Sequence, residues 1–162
     1  MKKTILILSL VAILVSINSN AQVSGANESD NYDVETFLSM LDEFLPERLV
    51  DNLANQIPPN VIIVNFGVGD FSKDSLPDLV IAYKNKTLPK NTYKVIVFVN
   101  ESLNAYTKVG EFNAQWRDTP DDVGFAIKDQ KLYISSRKSE KWVFESYTYS
   151  NKKLTLQTTE IY

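Results

Sequence analysis

Between Asp33 and Gln56 apolar side chains recur at steps of three and four: Val34, Phe37, Leu38, Leu41, Phe44 and Leu45, then Leu49, Val50 and Leu53. That is the period of a helix with one buried stripe. Asp33 stands where its carboxylate accepts N–H bonds of a first turn. Pro46 lacks the N–H that a continuous helix needs, so the spacing predicts two short helices or one kinked helix, its stripe facing a core. Pro58-Pro59 ends the segment. Beyond it, short β-branched or aromatic runs occupy residues 61–64, 79–83, 95–99, 125–127, 132–135, 142–149 and 154–159. Asn100, Asp129-Gln130 and Ser150-Asn151 punctuate them as turns. Leu132, Ile134 and Ser136 alternate with Tyr133 and Ser135, the pattern of a sheet wetted on one side. The expected fold is α+β: an N-terminal helical segment packed on a mainly antiparallel β-meander of about seven or eight strands.

The N-terminus reads differently. Lys2-Lys3 precede an apolar run from Ile5 to Val15, and Ser19 and Ala21 are small residues at −3 and −1 of a cut after Ala21. This is the pattern of a cleaved secretory signal. The run falls short of the roughly 20 apolar residues that span a bilayer. Residues 1–21 are therefore expected to be a signal peptide, 22–32 a small, polar, flexible leader, and 33–162 one domain, helical over 33–56 and β-rich over 60–162. The expected location is secreted or periplasmic, without membrane insertion after cleavage.

Composition removes several chemistries. The chain has no cysteine, so lipoprotein acylation, disulfides and thiolate metal sites are closed to it. It has no histidine, which excludes Ser-His-Asp and Cys-His nucleophilic sites and histidine-bound zinc. Loss of Lys2 and Lys3 takes the formal charge from −3 to −5, which argues against nucleic acid as a partner. Gly67-Val68-Gly69 lacks the third glycine and the helix of a phosphate-binding loop.

The densest chemistry lies between Gly69 and Ile81. Asp70, Ser72, Asp74 and Asp78 occupy positions 1, 3, 5 and 9 of a loop, and the Leu76 carbonyl stands at position 7. Alternating oxygen donors of this kind suit a hard cation such as Ca²⁺, in a structural role. The competing reading is a hairpin loop whose aspartates bond backbone N–H groups. Ser75 in place of glycine at position 6 and Ile81 in place of glutamate at position 12 rule out an EF-hand.

Gly69, Asp70, Asp74, Asp78 and Leu79 make the loop resemble the calcium loop of FG-GAP/VCBS-type repeats, with Ser72 for the usual Asn or Asp and with Lys73 and Ser75 for the usual glycines. The likeness extends over the C-terminal part of the chain. The segment from Lys94 to Asn100, the Asp118-Thr119-Pro120 loop before residues 123–127, and the aromatic strand, Asn turn and apolar strand around Tyr147, Asn151 and Leu154 resemble small secreted bacterial proteins with one degenerate loop of this type and a β-meander. A single copy argues against a propeller. The resemblance implies fold and export more than activity.

A second candidate surface is Trp116, Arg117, Asp118, Asp121 and Asp122, since Trp beside Arg is a common interface composition; its plainer reading is a solvated turn before and after Pro120. Arg137, Lys138 and Lys141 form a basic hairpin tip, and Trp142, Tyr147 and Tyr149 are core or sheet-face aromatics. The expected function is an exported non-catalytic binding or structural module, with Ca²⁺ support and a protein or glycan partner. The alternatives are a periplasmic inhibitor or immunity-type protein and a carboxylate-based hydrolase.

Overall fold

A computed structural model describes residues 23–24, 31–102, 104–115, 124–138 and 140–162. Asp33 opens helix α1 (Val34–Asp42): its carboxylate accepts the Thr36 N–H at 2.7 Å, and that bond holds the carboxyl below its ordinary range. Pro46 separates α1 from helix α2 (Glu47–Ala54), so the predicted break gives two helices. The stripe faces inward as expected, with Phe37, Leu41, Leu45, Leu49 and Leu53 all buried.

Two short strands flank the start of α1, β1 (Val23–Ser24) and β2 (Tyr32–Asp33). Both pair with one side of β3 (Ile62–Gly69). Part of the expected leader thus lies along a strand whose N–H and C=O groups would otherwise form an open edge. The first sheet continues through β4 (Asp78–Lys84), β5 (Thr92–Ser102) and β6 (Ala105–Gln115), antiparallel throughout. The second sheet contains β7 (Gly124–Lys128), β8 (Lys131–Lys138), β9 (Lys141–Ser150) and β10 (Lys153–Ile161), in the order β10-β9-β8-β7. The meander therefore divides into two sheets, with the division between β6 and β7.

Three layers result. Leu79, Ile81, Ile96 and Phe98 point from the first sheet to the helices and meet Phe37, Leu41, Leu49 and Leu53. Val80, Ala82, Val95, Val97 and Val99 point the other way and meet Phe125, Leu132 and Ile134 of the second sheet. A sheet covered on both faces needs apolar side chains at successive positions, which explains the unbroken runs at 79–83 and 95–99. Each large side chain so buried contributes about 1.5–3 kcal/mol.

Two glycines set the spacing between the sheets. A Cβ on Gly67 would stand 3.2 Å from the Phe125 Cβ, and one on Gly69 would stand 3.0 Å from the Ile127 Cβ. The Gly67-Val68-Gly69 sequence is a notch that lets β7 lie close against β3. The hairpins of the second sheet turn on Asp129-Gln130 and Asn151-Lys152, all four residues at positive φ, as two-residue hairpin loops of the primed type require.

Candidate functional site

The Asp loop joins β3 to β4, which pair up to Gly69 and Asp78. Asp78 is the first residue of β4 and is fully buried. One carboxylate oxygen, Oδ2, accepts the N–H groups of Phe71 at 2.9 Å and Ser72 at 2.8 Å, and Oδ1 accepts that of Asn100 at 3.1 Å. Asp78 thus ties its own loop to β5. Burial pushes its carboxyl up to about 7, against the opposing pull of these three donors.

Asp70 organises the exposed part of the loop. Its Oδ1 accepts N–H bonds from Lys73 at 2.7 Å and Asp74 at 3.3 Å, and a hydroxyl bond from Ser72 at 3.4 Å. Its Oδ2 accepts the Ser75 N–H at 3.0 Å. Asp74 closes an Asx turn by accepting the Leu76 N–H at 2.9 Å. Lys73 and Ser75 both adopt positive φ, 73° and 68°, at the two positions where FG-GAP-type loops carry glycine.

The base of the loop is held from the helical layer. Asn52 Oδ1 accepts the Tyr106 N–H and Gln56 Nε2 donates to the Tyr106 carbonyl, both at 2.8 Å. Tyr106 Oη then donates to the Pro77 carbonyl at 2.9 Å, and burial with the Asp78 charge nearby raises the phenol well above its usual range. From the second sheet, the Tyr149 ring meets Phe71 edge-on at 6.5 Å and its hydroxyl donates to Glu101 at 3.0 Å. Burial and that hydrogen bond lift the Tyr149 phenol to about 12. Asn100 lends its N–H to Asp78, while its buried side-chain amide finds no hydrogen-bond partner among the described residues.

The structure therefore brings Asp70, Ser72, Asp74, Leu76 and Asp78 into one loop. As arranged, their carboxylates serve as acceptors for backbone N–H groups, and Leu76 contributes an N–H. Among the described residues no three carboxylates converge as a metal-binding group. The donors have the chemistry that Ca²⁺ takes. Phe71 and Tyr106 complete the loop without any sequence signal, and Asn100, expected at a turn, lies instead within β5, buried and paired with Tyr106 of β6, where its N–H can reach Asp78. Trp116, Arg117, Asp118, Asp121 and Asp122 lie outside the described residues, in the connection between the two sheets.

A second surface lies on the outer face of the second sheet. Strand register places Tyr133, Phe144, Trp142 and Tyr162 on that side, opposite to Leu132, Ile134 and Val143, which are buried. Reciprocal backbone bonds of 2.9 Å between Trp142 and Tyr162 extend the ladder to the C-terminal residue. Phe144 is 43 % exposed and Tyr162 71 %. The Trp142 and Phe144 rings lie 6.3 Å apart, the Phe144 and Tyr162 rings 5.7 Å apart, and the Arg137 guanidinium sits 5.3 Å from the centre of Trp142. Together these rings line a shallow open depression of about 610 Å³. Ser146 and Thr158 share a 2.7 Å hydroxyl bond within it, and Glu160 accepts the Tyr162 hydroxyl. Tyr147 and Tyr149 turn inward, Tyr147 stacking on Phe112 at 5.7 Å. The sequence signal for this face was the two-residue step from Trp142 to Phe144, which needs the strand register before it can be joined to Tyr133 and Tyr162.

The architecture is a helix-covered pair of antiparallel sheets with a self-bonded aspartate loop at one hairpin and an aromatic outer face. The chain matches no family model, no curated protein and no solved structure.

Proposed function

We propose that this chain is an exported, non-catalytic binding module that engages its partner through the outer face of the second sheet. One observation carries the reading: a half-buried Trp142 with the exposed rings of Phe144 and Tyr162 lines a depression on the face of a sheet whose other face already supplies the core. Exposed rings clustered in this way are a common mark of recognition surfaces. Export rests on the Lys2-Lys3, apolar-run and Ala21 pattern; no described helix is long and apolar enough to cross a membrane.

The aspartate loop has a structural role in this reading. Positive φ at Lys73 and Ser75 supports kinship with FG-GAP-type loops, and a Ca²⁺ ion held by Asp70, Ser72, Asp74 and Asp78 would brace the same hairpin. A carboxylate-based hydrolase would draw its acid and base from Asp118, Asp121 and Asp122, which lie outside the described residues; in the aspartate loop Asp78 is sealed from solvent and Asp70 and Asp74 cap their own loop. An inhibitor or immunity-type protein would use the same aromatic face against a protein.

The test uses Trp142 as a reporter. In a Trp116→Phe background Trp142 is the one remaining tryptophan, and its emission is followed while soluble glycans and exported hydrolases are titrated in. A saturable change that Phe144→Ser abolishes supports the reading. Turnover of glycoside or ester substrates that stops on substitution of Asp118, Asp121 or Asp122 would replace it with the hydrolase.

A further inference from the structure

We infer that the ligand of this outer face is a linear acidic polysaccharide, its sugar rings stacked at one end of the sheet and its carboxylates met by lysines at the other. The inference rests on the binding-module reading above. It follows from how side chains are distributed along the strands.

The strand register sorts the outer face into three zones. At the end where β8 turns into β9 lie Arg137, Trp142, Phe144 and Tyr162. In the middle are Tyr133 and short hydroxyl side chains, Ser146, Thr148 and Thr158. At the opposite end, beside the turns at Asp129-Gln130 and Asn151-Lys152, are Lys128, Lys131 and Lys153. Lys128 pairs directly with Lys131 across the β7–β8 hairpin, and Lys153 leaves the neighbouring hairpin turn at the same end. Asp129 is the acidic residue within those two turns. Glu160 is the carboxylate of the outer face within the depression; Glu145 borders it, but its carboxyl accepts the Tyr147 hydroxyl.

Charge complementarity selects the ligand. The whole chain carries a formal charge of −3, yet this face gathers lysines at one end. Like charges placed side by side across a hairpin cost stability, so the Lys128–Lys131 pair is better explained by an anion that lies over it. An anion alone would not need the rings at the other end. From the level of Trp142 to that of Thr148, which lies across from Lys131, is six residues of strand, roughly 20 Å at the rise of a β-strand. A small anion cannot touch both ends, whereas an extended polymer can. Sugar rings offer flat C–H faces to Trp142, Phe144 and Tyr162, and equatorial hydroxyls to Thr148 and Thr158. Uronic acid units add the carboxylates that lysines bind by charge-assisted hydrogen bonds.

Edge-to-edge addition of a second copy through β10 is disfavoured: Gln157 forms a bulge between Leu156 and Thr158, and a bulge of this kind interrupts the straight ladder that strand addition needs.

The experiment measures binding of the full mature chain to uronate oligosaccharides (galacturonate, glucuronate and mannuronate series) and to the same oligosaccharides after reduction of their carboxyl groups. Titration calorimetry is run at low and high salt. We expect saturable binding to at least one uronate series that weakens about tenfold or more in salt, on carboxyl reduction, in Trp142→Ala with Phe144→Ala, and in Lys131→Glu with Lys153→Glu. Circular dichroism confirms that each variant is folded; all four positions are at the surface or partly so.

Equal affinity for the reduced oligosaccharides, still lost in the aromatic variant, would overturn the acidic ligand and leave the binding face standing. Uronate binding that survives the aromatic variant would overturn the face itself. Absence of binding to every series by folded protein would overturn the inference, as would a dimer that dissociates on substitution of Phe144, since the face would then belong to a second copy.

Discussion

Asp78 allows a quantitative test of what holds the loop. Its carboxyl titrates near 7 in the fold, against 3.8 for an ordinary one, because burial outweighs the N–H donors of Asn100, Ser72 and Phe71. The unfolded chain therefore gives up this proton first. The contribution of Asp78 to stability is complete below 3.8 and is lost as the pH rises through about 7. Between about pH 5 and pH 8 the two titrations differ by roughly 3 kcal/mol. Asp33 and Glu111 are held below the usual carboxylate range by their hydrogen bonds, and Lys94 is held above the usual lysine range by its bond to Glu111. Those groups act outside this window. Asp78→Asn keeps the size and one acceptor oxygen, but it cannot ionise, and its NH₂ must face one of the backbone donors at a cost of about 1–3 kcal/mol. Urea unfolding of wild type and variant at the two pH values measures the difference. Wild type should lose about 3 kcal/mol more than Asp78→Asn on going from acid to alkaline buffer, a relative midpoint change of about 1–2 M urea. Parallel losses would show that Asp78 is not the titrating group. Wild-type stability that rises with pH would show that the three N–H donors, not burial, govern the carboxylate.

Two further outcomes follow from the same loop. Ser75→Gly relieves a positive φ of 68° and should stabilise the protein by up to about 1 kcal/mol, read as a higher thermal midpoint; an unchanged or lower midpoint would mean that the side chain compensates its backbone. If Ca²⁺ braces the hairpin, millimolar Ca²⁺ should raise the midpoint by several degrees over chelator, equivalent to about 2.7 kcal/mol at 100 times the dissociation constant, and the rise should vanish in Asp74→Ala. A midpoint indifferent to Ca²⁺ would leave the hydrogen-bonded loop as the whole of the structure there.

The legible parts of this chain were those governed by local chemistry. Asp33 caps its helix, Pro46 divides it, and the Asp129 and Asn151 turns reverse the chain within one residue of where their composition placed them. The apolar runs at 79–83 and 95–99 announced strands. That both faces of those strands are covered depends on Phe125, Leu132 and Ile134 arriving from another sheet, and no local pattern states which strands share a sheet. The loop divided in the same way. Its aspartates were visible in the spacing, whereas glycine positions at Lys73 and Ser75 were implied only by the resemblance to FG-GAP-type loops. Tyr106, Asn52 and Gln56 were not visible, since their hydrogen bonds to one another and to Pro77 cross between separate elements. The aromatic face needed the C-terminal Tyr162 to be set beside Trp142, a pairing made only by strand register.

The placement of the first sheet as the middle layer has a consequence for the order in which the protein becomes safe. All its strands end by Gln115, so the sheet is complete in covalent terms well before β7 to β10 have been made. Until they arrive, Val80, Ala82, Val95, Val97 and Val99 present a bare apolar wall. Chains emerging N-terminus first must pass through that stage. A product cut short near Gln115 would remain in it, and it is the species of this protein most exposed to aggregation and to proteolytic clearance. The last four strands are in this sense a built-in lid on a sticky precursor, and fast local pairing through their two-residue turns shortens the time for which it is uncovered.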